Sequence, residues 1–471
     1  MTSEIALLNQ SAVVLAADSA TTVTYWDEGQ KKELFFKGAN KIFHLSAEYP
    51  VGIMTNGSAD LQGLPWEVLV KAYRDDRGGK RLERLSEYAV DLFDFLVSNE
   101  DIFPADYQKI KLIRSIVGTA RNIAFSIYFS REFENANENA DQQKEVATQL
   151  FETRRAEVAA DVDICAGAEA IIRDIRRLYL GEVRSALTQD HSAFEDYFVI
   201  DELVTLGILG LFKKKWTSLQ STGLVIAGFG FRDYFPALEQ HECYGVLAGR
   251  VIAQKVQRGD RAISHDSPSE IVPLAQCEMA DTFMFGASND ALNAMDRALS
   301  TSLRGLIDAL IREEALAADY DIGMVAMQAQ ETFRHAIRDH LWKNHTTPLR
   351  RAIGMLPVGE LAELAEILVY MESKKERVTR PTESVGGAID VAVITKGDGF
   401  IWIKRKHYFD PGLNPRYVKR LQVRSGEHDG KESSRPRKGK RAAADTGTRQ
   451  RAITRPLAEG ASTQGPQGPD S

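Results

Sequence analysis

Short apolar runs open the chain. Residues 5–8 and 12–17 are apolar and are separated by Asn9-Gln10-Ser11, a polar break that predicts a hairpin. Residues 41–45 and 51–54 form a second pair across Glu48-Tyr49-Pro50. From about Pro65 the apolar positions recur every three or four residues, in PWEVLVKAYR and LERLSEYAVDLFDFLV, a period that predicts helices. The helical pattern continues from Tyr107 to about Leu219, broken by the polar stretch ENANENAD. Strand character returns at 223–229 and 245–255, with 270–274 and 281–286 as further predicted strands. Helices are predicted over 289–316, 327–342 and 358–374. A last strand pair, 388–394 and 400–404, brackets the turn Lys396-Gly397-Asp398-Gly399.

The order is strands, helices, strands, helices, strands. Blocks of one type favour antiparallel sheets with helices on their outer faces, an α+β fold, over a doubly wound parallel sheet. The pattern divides the chain into a first half (2–106), a helical insertion (107–220), a second half (221–422) and a tail (423–471). The tail is low in complexity and ends in Gly, Pro, Ser and Gln, so no packed structure is expected there.

Composition changes this picture little. At 471 residues the chain is long for one compact domain, which suits a core with additions. No run of about eighteen apolar residues occurs, so no membrane-spanning helix is expected. MTSEIALLNQ lacks the layout of a secretory signal, and Cys165, Cys243 and Cys277 show no CxxC spacing. Together they predict a reducing, cytoplasmic setting with neither disulfides nor a zinc site. Charge matters more. The net charge is −7, yet Lys and Arg crowd the segment 404–455, so an acidic body carries a basic tail. Such a tail can attract nucleic acid, but a solvated end is the expected reading.

The candidate chemistry starts at Thr2. A threonine at a free N-terminus supplies a hydroxyl nucleophile and an α-amine base from one residue. That amine titrates near ~7.7–8, close enough to neutrality to take the hydroxyl proton. Thr2 follows Met1 directly, and initiator methionine is commonly trimmed before so small a residue. Asp18 ends the run VVLAADS and Lys41 opens KIFHL, so both can bring charge to one end of a sheet. The expected turn Thr55-Asn56-Gly57-Ser58 closes VGIMTNGSAD. Amides near Asn56 and Gly57 are candidate oxyanion donors, because small residues let backbone approach a substrate.

These pieces resemble a proteasome β-subunit, an N-terminal-nucleophile (Ntn) hydrolase. TSEIALLNQSAVVLAADSA is similar to that family's opening hairpin, ANKIFHL to the strand that holds its catalytic lysine, and TNGSAD to its oxyanion turn. GLVIAGFGF resembles the strand opening the second sheet, DTFMFGASNDA the turn into the third helix, and ESVGGAIDVAVITKGDGF the closing strand pair. The resemblance implies a four-layer αββα sandwich carrying a long helical insertion. It also implies Thr2 as nucleophile, Asp18 and Lys41 tuning its amine, and Asn56 with Gly57 at the oxyanion. Ser288 and Ser384 would be supporting hydroxyls. The implied activity is amide-bond hydrolysis of peptides without a cofactor, in a homo-oligomer that an ATPase or other regulator can serve.

The chain departs from the family pattern in three places. Lys41 comes several residues late, which calls for a longer hairpin through 26–36. Near Pro381, where the family has a second acid, only Glu383 is close. Ala20 stands where an arginine is usual. A non-catalytic scaffold that keeps the sandwich for assembly is therefore the competing reading. A small-molecule amidase on the same fold is a third.

Other motifs carry less. GFGF at 228–231 is followed by a predicted strand and no helix, so it fails the test for a dinucleotide loop. His335 and His340 are five apart and miss the helical ligand spacing, and no metal site is read. LGILGLFKKKW at 206–216 is expected to pack against protein and not to rest on a membrane. The charged segment 142–177 is expected to be a solvated or subunit-contacting helix.

Overall fold

The computed structural model describes residues 2–27, 30–136, 139–257, 259–275, 278–313, 321–379, 385–417 and 419. Pro381, Glu383, Ser384, Cys277 and the tail assigned to 423–471 therefore lie outside the described residues.

The opening segment is a series of strands: β1 (Glu4–Asn9), β2 (Ala12–Ala17), β3 (Ala20–Asp27), β4 (Gln30–Lys37), β5 (Ile42–His44) and β6 (Val51–Gly57), followed by the short pair β7 (Asp60–Leu61) and β8 (Leu64–Pro65). β1 and β2 pair antiparallel, with Glu4 opposite Ala17 and Leu8 opposite Val13. The Asn9 side chain makes their turn, its Oδ1 accepting from the amides of Ser11 and Ala12. The segment 26–36, where a longer hairpin is expected, lies in the β3–β4 ribbon, paired from Ala20↔Lys37 to Asp27↔Gln30. The reason is legible in TTVTYW: β-branched and aromatic residues fit a pleated surface. A ribbon also pairs the inward-facing backbone groups of the extra residues before Lys41.

Helices follow: α1 (Trp66–Arg77), α2 (Leu85–Ser98), α3 (Ala105–Tyr128), α4 (Arg131–Asn135), α5 (Ala140–Ala160), α6 (Ala168–Asp190) and α7 (Ile200–Leu211). The next strands are β9 (Thr222–Gly228), β10 (Ala237–Leu247), β11 (Arg250–Lys255), β12 (Arg261–Ala262) and β13 (Ser269–Pro273). The strand expected at 245–255 is thus a β10–β11 hairpin that starts earlier. Its first half, ALEQHEC, is masked in sequence by polar residues at positions 239–242. Then come α8 (Glu278–Phe285), α9 (Asn289–Arg312), α10 (Ile322–Leu341), α11 (Thr347–Met355), α12 (Val358–Thr379), β14 (Asp390–Thr395) and β15 (Gly399–Lys404). The strand expected over 281–286 is helical and belongs to α8. A short apolar run does not by itself separate strand from helix, and Ala280 and Met284, one helical turn apart, are the buried pair.

Two larger antiparallel sheets result. One has the order β13-β1-β2-β14-β15; the other runs β11-β10-β9-β6-β5, with β12 beside β10. The fold is therefore α+β. Alternation along each strand sends successive side chains to opposite faces. Ile5 and Leu7 pack with Leu361, Ala365, Leu368 and Val369 of α12. Ala6 and Leu8 pack instead with Met54, Val225 and Ala227 of the second sheet. On that sheet's other face, Ile53, Leu224 and Ile226 pack with Leu69 and Val70 of α1 and Leu92 of α2. Helices α3, α5, α6 and α7 share a separate core that also includes Tyr244, Leu247 and Ile252. Leu206, Ile208, Leu211 and Phe212 are buried in it, so LGILGLFKKKW packs against protein. No helix of the described residues is long and apolar enough to cross a membrane. Residues 411–417 and 419 belong to a second unit, of which the structure describes a short 3-10 turn, Pro411–Leu413.

Candidate active site

The first strand pair is held shut at its open end by Asp18. The Asp18 amide donates to Ser3 O at 3.1 Å, and the Ser3 amide donates to Asp18 Oδ1 at 3.1 Å. Asp18 is wholly buried, which is costly for a carboxylate unless every oxygen is matched. It is matched. Oδ1 also takes the Lys41 ammonium at 2.5 Å, and Oδ2 accepts the Gly386 amide at 2.7 Å. Three donors thus converge on one carboxyl.

The Gly386-Gly387 pair explains itself here. Gly387 has φ +88°, and a Cβ on it would stand 2.3 Å from Ser19 Oγ. Only glycine lets this segment come so close to Asp18 and Ser19.

Lys41 enters from the segment before β5, where its carbonyl accepts the Thr55 amide at 2.9 Å. Its side chain is 7 % exposed, and the ammonium lies between two carboxyls, Asp18 Oδ1 at 2.5 Å and Glu4 Oε1 at 3.2 Å. Thr2, half-buried, stands two residues before Glu4, just outside β1. Its hydroxyl is close enough to oppose the rise in the Glu4 pKa that burial causes. Thr2, Asp18 and Lys41 are thus brought together, although Lys41 is distant in sequence from the other two.

The oxyanion candidates separate by parity. β6 does not turn at Thr55 but continues through Gly57, pairing Asn56 with Gly223 and Gly57 with Thr222 of β9. The Thr55 amide points to Lys41 O, and the Ser58 amide to Ser221 O beyond β9. Amides alternate sides along a strand, so Asn56 N–H faces β9 and Gly57 N–H faces the Lys41 side. The Asn56 side chain fills the space over Gly223, where an added Cβ would meet its Oδ1 at 2.1 Å. Both residues line a cavity of about 230 Å³ with His241, Glu242 and Leu274. The Leu274 amide donates to Glu4 O, which ties this wall to the start of β1.

Ser288 sits at the N-cap of α9; the Leu292 amide donates to its carbonyl, and its hydroxyl bonds Asp290. The contacts described for Ser288 do not include Thr2, Asp18 or Lys41. Ser384 lies outside the described residues. The residue that sequence reasoning missed is Glu4. Its signal was present: an acid directly before the apolar run Ile5–Leu8, opening a strand all of whose residues are buried. The cysteines among the described residues, Cys165 and Cys243, are buried. Burial pushes the Cys165 thiol up to about 11 and the Cys243 thiol up to about 12, so both stay protonated and inert near neutrality.

No protein-family model matches the chain, and no curated protein sequence matches it. Solved structures similar to it include the Anbu (Gly-1) mutant from Hyphomicrobium sp. strain MC1. That chain is 10% identical, with 93% of this chain and 100% of that one covered and a TM-score of 0.25. Another is Anbu (ancestral beta-subunit) from Yersinia bercovieri, 9% identical, covering 94% and 100%, with a TM-score of 0.26.

Proposed function

We propose that the chain is a threonine-type amide-bond hydrolase acting on peptides, with Thr2 as nucleophile once Met1 is removed. The observation that carries this reading is the buried cluster beside Thr2: Asp18 fixed by the Ser3 and Gly386 amides, with Lys41 bound to it. A fixed ammonium next to the threonine disfavours protonation of the α-amine and stabilises negative charge developing on the hydroxyl oxygen. Thr2 Oγ1 attacks the amide carbonyl while its proton passes to the α-amine. The amine returns a proton to the leaving nitrogen, and water then releases the acyl group by the same route reversed. Of the two oxyanion candidates, the Gly57 amide is the better aimed, and Asn56 shapes the cavity wall.

The architecture fits the same proposal. The shared core between the two sheets, flanked by α8, α11 and α12 on one side and α1 and α2 on the other, reads as a four-layer αββα sandwich with α3 to α7 as its insertion. Self-assembly is part of the proposal and has a surface to draw on. α9 and α10 contain no buried residue, yet expose Met295, Leu306, Ile311 and Met327. The same surface favours a second reading, a non-catalytic scaffold. Intact-mass measurement of the purified chain separates the two. The hydrolase is expected to lack Met1; a chain that retains it has no free Thr2 amine and cannot run this chemistry.

A further inference from the structure

Glu4 is the one residue of the cluster that the proposed mechanism leaves idle. It is 1 % exposed, and neither carboxyl oxygen has an aligned hydrogen bond. Its surroundings contrast with those of Asp18. The two carboxyls share a single ammonium, Lys41, at 3.2 and 2.5 Å. Asp18 has two backbone amides besides; no comparable donor is described for the Glu4 carboxyl. With the Thr2 amine in its neutral, reactive form, two ionised carboxylates around one cation would leave a net negative charge on buried groups, and like charges this close push one carboxyl to its neutral form. Hydrogen-bond supply decides which one.

We propose that Glu4 is held as a neutral carboxylic acid beside Thr2, while Asp18 carries the negative charge of the cluster, and that the Glu4 hydroxyl hydrogen-bonds the Thr2 oxygen as it attacks. The proposal rests on Thr2 being the nucleophile. In the step, the bond from Thr2 Oγ1 to the acyl carbon forms and the Oγ1–H bond breaks, its proton going to the α-amine. Glu4 keeps its own proton throughout and donates a hydrogen bond only. Ionised Glu4 would instead place a second negative charge against the developing alkoxide and stop the reaction. The charged groups acting on Glu4 are Lys41, from the segment before β5, and Asp18, at the end of β2. The Thr2 hydroxyl faces it from just before β1, and the residue after β13 contributes the uncharged Leu274 backbone. Burial is the largest influence on this carboxyl and raises its pKa, in agreement with the hydrogen-bond argument.

Two readouts on the full chain test this. The first is the infrared carbonyl band of a neutral carboxylic acid near pH 7, compared between wild type and Glu4→Gln. The second is the rate at which a peptide epoxyketone captures Thr2 as a function of pH. The wild type is expected to show a neutral-acid band that the Gln variant lacks. Its capture rate should fall about tenfold per pH unit once Glu4 ionises, a limb absent from Glu4→Gln and retained by Glu4→Asp. An unchanged band, or an alkaline limb that persists in the Gln variant and so belongs to another group, overturns the proposal. So does a Gln variant that fails to fold, because an amide of the same shape should replace a neutral acid. If wild type is not captured at any pH, the nucleophile assignment fails instead, while the band still decides the protonation of Glu4.

Discussion

Thr2→Ala is expected to abolish peptide hydrolysis while leaving the fold and its stability unchanged. The substitution removes one hydroxyl and one methyl from a half-buried position just before β1. The contacts that close this end of the β1–β2 pair come from the Ser3 backbone and Asp18, and Ala at position 2 leaves them in place. A change of this kind typically moves stability by no more than about 0.5 kcal/mol. The nucleophile itself is gone, and no neighbouring group replaces it: Ser3 is buried with its backbone already committed to Asp18. Turnover of a fluorogenic peptide together with a thermal melt checks both halves. Retained turnover would show that Thr2 is not the attacking group.

The second large effect is at Lys41. Lys41→Ala should cost about two to three powers of ten in rate, the usual loss when a preorganised charge next to the reacting atoms is removed. It should also destabilise the fold. Asp18 and Glu4 would be left buried with no cation between them, and breaking a buried pair from one side typically costs about 3–5 kcal/mol. Lys37→Ala provides the contrast. Lys37 is exposed at the end of β4, where water screens its charge, so rate and melting temperature should stay close to wild type. Parallel kinetics and melts of the two variants decide the matter. Equal effects would mean that the charge at Lys41 has no special relation to Thr2.

The sequence made the sheet strands easy to place where they were apolar on both faces, as in ALL, VVLAA and GLVIA. A strand buried on both sides has no polar residues to confuse its period. It hid strands whose outer face is polar, as in the first half of β10. Asp18 and Lys41 could be singled out because each stands at the end of an apolar run. Glu4 was passed over because an acid just before an apolar run looks like the exposed start of a strand. Its burial follows from tertiary structure, from the second sheet covering the face that Ala6 and Leu8 share. The parity that separates Asn56 from Gly57 depends in turn on which neighbours β6 pairs with, which spacing along one chain does not encode.

The central claim is that Thr2 acts with both its hydroxyl and its own α-amine. An epoxyketone that bonds both atoms of an N-terminal threonine tests it directly, read by intact mass and by sequencing of the labelled peptide. The predicted result is a chain that lacks Met1 and carries one inhibitor equivalent on Thr2, with no label on Thr2→Ala. A chain that retains Met1, or that stays unlabelled at Thr2 with the wild-type fold intact, would contradict it.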